Sequence, residues 1–304
     1  MSKMNLLPGT GIRVSPICLG TMTFGNPLEE KEAVRLLNYA YDTYGLNFID
    51  TANMYEGYNR YAGSPGGVAE EIVGKAVSSR RDQFVIATKV GMKVGSAPED
   101  ENTSPEAIRV QLRRSLKRLG TDYVDLYYLH RFDPETAPEE IVRAIGNEMK
   151  AGLIRAWGFS NYTFEQAEAL LNVAKSENIP LPSVCQPSYS LLNTVNAEKL
   201  IPLCVKNHIG IIPYQLLQGG LLTGKYRRNE KAPEGSRMAE KPEWMKPLTN
   251  ESWNIIENTV NKAAEEGLTP VQYVLENALR MEGTVSTLLG FKRQEQIDEA
   301  ARIL

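Results

Sequence analysis

Runs of aliphatic, β-branched and aromatic residues recur along the chain, with stretches of helical spacing between them. Four lie in the first half: Val14 to Gly20, Asn47 to Asp50, Phe84 to Val90 and Tyr123 to His130. Ile154 to Ser160, Ser183 to Tyr189, Ile209 to Tyr214 and Thr284 to Gly290 follow in the second. Phe84 through Ala87 and Ile209 through Pro213 run without polar alternation, the pattern of strands buried on both faces of a parallel sheet. Helices are predicted between them. Ala33, Leu37, Ala40 and Tyr44 stripe one face of the first. Thr136 with Glu139, Thr163 with Gln166 and Thr269 with Gln272 have the spacing of a capping box, and Ser104-Pro105 and Thr269-Pro270 place Pro at a first helical position.

The predicted strands end near residues 20, 50, 89, 130, 160, 186, 214 and 290. The first six intervals are roughly 26 to 41 residues, the length of a βα unit. Eight such units read as one (β/α)8 barrel domain over residues 1–304, because no strand is followed by the G-x-G-x-x-G turn of an open dinucleotide-binding sheet. The last interval is longer, so Arg227 to Pro247 is expected to form a long loop after the seventh strand. Pro8-Gly9-Thr10-Gly11, inside Leu6 to Val14, predicts an N-terminal β-hairpin.

Composition narrows the class without changing the fold. Of 304 residues, 42% are hydrophobic and 23% charged, as in ordinary globular proteins. Lys and Arg number 34 against 37 Asp and Glu, for a net charge of -3, so no overall basic field favours nucleic acid or an anionic membrane. Cys18, Cys185 and Cys204 form no disulfide framework, and the N-terminus lacks a basic and apolar leader. No run approaches the length of a membrane span. A cytoplasmic location is the expectation.

Barrel enzymes place their sites at the C-terminal ends of the strands. Asp50, Lys89 and His130 each end an apolar run, and the chain has only two histidines, His130 and His208. Taken singly, a strand-end Asp is often a cap, a Lys snorkels and a His is structural. Together, a Lys and an Asp at a barrel mouth make a desolvated pair, a costly arrangement unless it tunes another group. Tyr55, in Asp50-Thr51-Ala52-Asn53-Met54-Tyr55, is the group within reach. No Cys/His cluster has metal-ligand spacing.

These residues carry a resemblance. D-T-A-x-x-Y at Asp50 to Tyr55, T-K-V at Thr88 to Val90, L-H-R at Leu129 to Arg131 and G-F-S-N at Gly158 to Asn161 resemble, in order and spacing, the aldo-keto reductase superfamily. The resemblance extends from Gly20 to Glu299. It implies a catalytic tetrad of Asp50, Tyr55, Lys89 and His130, reducing aldehydes or ketones to alcohols with hydride from a nicotinamide cofactor. Lys89 is expected to lower the Tyr55 phenol, and a neutral His130 to orient the carbonyl oxygen.

The resemblance also implies a dispersed NADPH/NADP+ site. Gly20, Thr21, Met22 and Asp50 would lie by the first two strands, with Ser160, Asn161 and Gln186 at the nicotinamide carboxamide and Tyr214 stacked on its ring. Gln215 and Leu217 stand where the family commonly has Ser-Pro-Leu, and Gly220 and Lys225 match the pyrophosphate segment. Gly290, Lys292, Arg293, Gln296 and Glu299 resemble the adenosine end, where two cations favour a 2'-phosphate. Ala300 stands where the family has an adenine-binding Asn. Because the chain ends at Leu304, the extra C-terminal helix and loop of many members are expected to be absent. Substrate contacts then fall to Met22, Phe24, Tyr58, Tyr61, Met92, Phe132 and Trp244. The partner is a small carbonyl compound, with neither nucleic acid nor membrane, and the oligomeric state has no signature in the sequence.

Two other classes fit part of the pattern. A barrel Lys near Tyr, Asp and His could form a Schiff base, as in a lyase or aldolase. Some barrels that resemble this family are regulatory subunits that keep the nucleotide with little turnover.

Overall fold

The computed structural model describes residues 4–196, 198–245 and 247–304. A hairpin of β1 (Asn5–Leu6) and β2 (Arg13–Val14) precedes the barrel. Gly9 lies in its turn at φ 70°, which glycine adopts without a Cβ penalty. The chain then runs β3 (Ile17–Gly20), α1 (Glu30–Tyr44), β4 (Phe48–Asp50), α2 (Val68–Val77), β5 (Val85–Val90), α3 (Pro105–Leu119), β6 (Val124–Leu129), α4 (Pro138–Lys150), β7 (Ile154–Ser160) and α5 (Phe164–Ser176). It continues through β8 (Val184–Gln186), α6 (Leu200–Lys206), β9 (Gly210–Ile211), α7 (Arg237–Glu240), α8 (Asn250–Glu265), α9 (Pro270–Arg280), β10 (Thr287–Gly290) and α10 (Gln294–Ala301).

Eight strands form one parallel sheet in the order β10-β3-β4-β5-β6-β7-β8-β9. A bridge from Ile211 to Thr284, with Val285 N–H donating to Ile211 C=O at 3.0 Å, joins its ends. The sheet is the expected (β/α)8 barrel.

Two cores flank the sheet. Cys18, Phe48, Ala87, Leu126, Tyr128, Ala156, Val184 and Ile212 fill the interior, and Leu7, Ile12 and Val14 of the hairpin segment join them. The alternate residues, including Leu19, Ile49, Ile86, Tyr127, Trp157 and Phe159, face the helices. Strand side chains alternate between faces, so the residue two beyond each interior position shares its side. Gly20, Asp50, Lys89, His130, Ser160, Gln186, Tyr214 and Gly290 all stand in that phase, at the C-terminal end of the barrel.

Helix starts follow the sequence with one exception. Thr163 and Thr269 form capping boxes with Gln166 and Gln272, and Ser104 Oγ accepts from Ala107 N–H. Thr136 does not cap α4. Pro138, with no N–H and φ preset, takes the first helical position behind Ala137, and the Thr136 hydroxyl donates to Asp133 at 2.7 Å instead.

Strand and loop limits also differ in detail. Pro16 separates β2 from β3, and Pro187 follows directly on β8, since proline supplies no ladder donor. The long segment after the seventh barrel strand is not featureless. Gln218–Thr223 winds as a 3-10 turn, α7 follows, and α8 and α9 both precede the last strand. Lys246 of that segment lies outside the described residues.

Candidate active site

Asp50 and Lys89 end up side by side because β4 and β5 pair in register, with Asp50 opposite Ala87. Lys89 Nζ bonds Asp50 Oδ1, donates to Thr51 C=O at 2.8 Å, and lies 3.4 Å from the Tyr55 hydroxyl. Lys89 and Asp50 are both buried. The second Asp50 oxygen accepts from Gln186 Nε2 at 2.8 Å, so the carboxylate is held from two strands. Thr21 anchors the same strand end, its hydroxyl and N–H each 3.0 Å from Asp50 C=O.

Tyr55 arrives from the loop. Its N–H donates to Ala52 C=O at 3.1 Å, a turn that folds the ring back over the mouth. There it meets His130 edge to face, with centroids 5.9 Å apart. His130 Nδ1 is buried without a hydrogen-bond partner. The side chain that orders this rim is Asn161, at φ 58°, whose amide donates to His130 C=O at 2.7 Å and to Ser160 Oγ at 3.1 Å. Asn161 Oδ1 accepts from the Tyr214 hydroxyl at 2.6 Å, and Ser160 Oγ donates to Gln186 C=O at 2.8 Å. One chain of hydrogen bonds therefore links the ends of β6, β7, β8 and the segment after β9.

Burial dominates the electrostatics. It pushes the Tyr55 phenol above its ordinary value, against the opposing pull of Lys89. The Lys89 contribution has the expected sign, and burial outweighs it. For Lys89 burial works against the ammonium, but Asp50 and Tyr55 outweigh it and hold the amine above its ordinary value. Burial pushes His130 well below the histidine range, and the charges of Lys89, Arg131 and Arg60 act in the same direction, so the ring is neutral at pH 7.

Beyond this rim lies a cationic sector. Lys225 Nζ folds over Gly220, where φ is 94° and an added Cβ would stand 2.8 Å from the amine. Burial and the charges of Lys292, Arg293 and Arg237 push Lys225 below the ordinary lysine value. Lys292 pairs with Glu240 at 3.0 Å and sits 5.2 Å from the Tyr58 ring, against whose edge Trp244 packs at 5.2 Å. Glu240 and Trp244 belong to the long segment, which thus spans the mouth from the loop after β4 to the loop after β10. Lys225 and Arg237 against the Gly219-Gly220 turn, with the charges of Lys292 and Arg293 felt at Lys225, fit a dinucleotide phosphate, and the Asn161, Ser160 and Tyr214 polar groups fit an amide.

Other residues singled out in the sequence are placed differently. Gln296 Oε1 accepts from Lys292 and Arg293 N–H at the start of α10, and the Glu299 backbone C=O accepts from Gln272 Nε2. Gln186 spends its amide on Asp50. Gln215, at φ 63°, accepts from Ser188 at 2.9 Å, and Leu217 precedes the 3-10 turn. Phe24 is not at the mouth, being fully buried against Phe291, whereas Met22 and Tyr61 are exposed. Phe132 packs edge-on against Tyr162. Sequence reasoning missed the Thr51 carbonyl and Glu240. Only the first had a signal, standing next to Asp50 in the D-T-A motif.

The model of the Aldo/keto reductase family matches residues 16–304. The chain belongs to this family. It is 32% identical over 97% of its length to an L-glyceraldehyde 3-phosphate reductase of Escherichia coli K12, covering 85% of that protein. It is 34% identical over 97% of its length to a probable voltage-gated potassium channel subunit beta of Oryza sativa, covering 89% of it. The glycerol dehydrogenase AKR11B4 of Gluconobacter oxydans has the same fold, with TM-score 0.81 at 24% identity over 99% of this chain and 90% of that one. Among the described residues no helix is long and apolar enough to cross a membrane, and no group of three or more His, Cys, Asp or Glu side chains could hold a metal ion.

Proposed function

We propose that this aldo-keto reductase acts as one domain over residues 1–304 and reduces aldehydes or ketones to alcohols with NADPH. The observation that carries the reading is the Tyr55 hydroxyl 3.4 Å from a buried ammonium that is itself fixed by a buried carboxylate. Bound NADPH supplies a hydride to the carbonyl carbon. The residues do the rest. His130, neutral, bonds the carbonyl oxygen and orients it; Tyr55 delivers the proton to that oxygen as charge develops; Lys89 stabilises the phenolate left behind. Asp50 and Gln186 are positioning residues that keep Lys89 charged and in place.

Asn161, Ser160 and Tyr214 would hold the nicotinamide end, Gly220 and Lys225 the pyrophosphate, and Lys292 and Arg293 the 2'-phosphate. A reducing compartment such as the cytoplasm suits three buried free cysteines. A Schiff-base enzyme would need a neutral amine, and Lys89 is held as an ammonium with three partners.

Equilibrium titration with NADPH and NADH, followed by energy transfer from protein aromatics, tests the cofactor assignment. Tighter binding of NADPH, then cofactor oxidation on adding 4-nitrobenzaldehyde, is expected. Binding of neither nucleotide contradicts the reading. Tight binding with no turnover on a wide aldehyde panel points to a regulatory subunit instead.

A further inference from the structure

The turn that carries Tyr55 is anchored from a distant helix. Tyr55 N–H closes the turn on Ala52 C=O at 3.1 Å, with Asn53 and Met54 at its centre, and Asn53 N–H reaches Lys89 C=O at 3.4 Å. Arg60 donates to Met54 C=O at 2.8 Å and Ala69 N–H to Tyr55 C=O at 3.0 Å, so the second half is tied through its backbone carbonyls. The first half is tied by a side chain: Asn53 Nδ2 donates to Gln111 Oε1 at 3.2 Å. Gln111 stands on α3, 58 residues further along the chain.

Asn53 and Gln111 are each only 1% exposed. Gln111 shares the buried face of α3 with Ile108, Leu112 and Ser115, where an apolar side chain of the same size would pack without needing a partner. Its orientation is fixed. Gln111 Nε2 spends its two N–H groups on Asp100 Oδ1 at 2.9 Å and Glu99 C=O at 3.1 Å, so only Oε1 is left to face Asn53. Asp100 is itself held, Oδ1 by Arg114 at 2.6 Å and Oδ2 by Ala97 N–H at 2.8 Å. Asn53 Oδ1 is buried without a partner among the described residues, a cost that an apolar residue filling the same space would avoid. The amide at position 53 therefore serves its one bond to Gln111.

We infer that Gln111 is a positioning residue for proton transfer: through Asn53 it sets where the Tyr55 hydroxyl stands against Lys89 and His130. The inference rests on the assignment of Tyr55 as proton donor above. The series Arg114, Asp100, Gln111 and Asn53 couples a 15-residue helix to the turn, so the loop borrows the rigidity of α3. Tyr55 has little slack. Its hydroxyl is 3.4 Å from Lys89 Nζ, already at the long end for a hydrogen bond, and its ring meets His130 edge to face at 5.9 Å. A small rotation of the turn breaks both contacts, and a displacement of about 1 Å at a reacting group costs up to about 100-fold in rate.

Gln111→Met keeps the length and fill of the side chain and removes its polar end. In this variant kcat for 4-nitrobenzaldehyde is expected to fall about ten-fold or more, with KM and NADPH affinity within about two-fold of wild type. The solvent deuterium isotope effect on the single-turnover rate should rise, because proton delivery becomes the slower part of the step. Asn53→Ala should lose as much, and adding Gln111→Met to it should cost less than about a further two-fold, since both act through one bond. A merely structural Gln111 would lower Tm and leave kcat and the isotope effect as in wild type, which overturns the inference. So do losses that multiply in the double variant. If Gln111→Met does not fold, Asn53→Ala decides alone, and unchanged kcat and isotope effect there overturn the inference. Wild type that binds NADPH and turns over no aldehyde overturns the reductase reading, and the inference with it.

Discussion

A phenol gives up its proton poorly near neutrality, and burial makes Tyr55 hold it more tightly still. The advantage lies in certainty of protonation: a donor that stays protonated across the neutral range is always charged for reduction. The reduction rate is therefore expected to be flat from about pH 6 to 9 and to fall only above about pH 10, where the phenol ionises. His130 adds no acid limb near about pH 6.5, because its folded value lies well below that. Initial rates over that range at saturating cofactor check both points, and an acid limb near neutrality would reassign the histidine. The Asp50–Lys89 pair explains why the arrangement persists: removing one partner from a buried pair costs about 3–5 kcal/mol, so each holds the other in place. At this scale the sequence was legible where a motif sat at a strand end. Glu240 escaped because it acts through a loop fold that juxtaposes segments distant in sequence, and it stands in no motif.

The elements show the same division. Asp50, Lys89 and His130 were legible as the polar ends of apolar runs, and the structure puts them, with Ser160 and Gln186, on the interior face because each continues an interior row of its strand. Helix starts were readable where a Thr side chain had a free N–H to reach. Thr163→Ala should remove the α5 cap and lower stability by about 1 kcal/mol in urea unfolding, whereas no change would mean that water replaces the hydroxyl. At α4 the same T-x-x-E spacing misled, since Pro138 fixes the start one residue later and Asp133 accepts the hydroxyl. Proline, decisive at α4 and at the end of β8, outweighs side-chain spacing as a boundary signal because it acts on the backbone itself.

The whole molecule brings together what no single element can. Closing the sheet between Ile211 and Thr284 sets residues from both chain ends beside one another, so Lys292, near the C-terminus, faces Tyr58 and Glu240 across the mouth. The barrel itself was legible from the repeating βα interval, but the course of the long segment was not, because its anchors are single contacts made by Glu240 and Trp244. If Lys292 meets a 2'-phosphate, Lys292→Ala should weaken NADPH binding by about ten-fold and NADH binding far less, the scale of a charge-assisted hydrogen bond. Equal losses for the two nucleotides in fluorescence titration would assign Lys292 to holding the long segment through Glu240 alone.

The central claim is that Tyr55 gives the proton in a carbonyl reduction. Stopped-flow mixing of the NADPH-saturated protein with 4-nitrobenzaldehyde, for wild type and Tyr55→Phe, measures that step most directly. The account predicts rapid cofactor oxidation in wild type and a loss of about 100-fold or more in Tyr55→Phe, with NADPH affinity retained. Cofactor oxidation at the wild-type rate in Tyr55→Phe would contradict it.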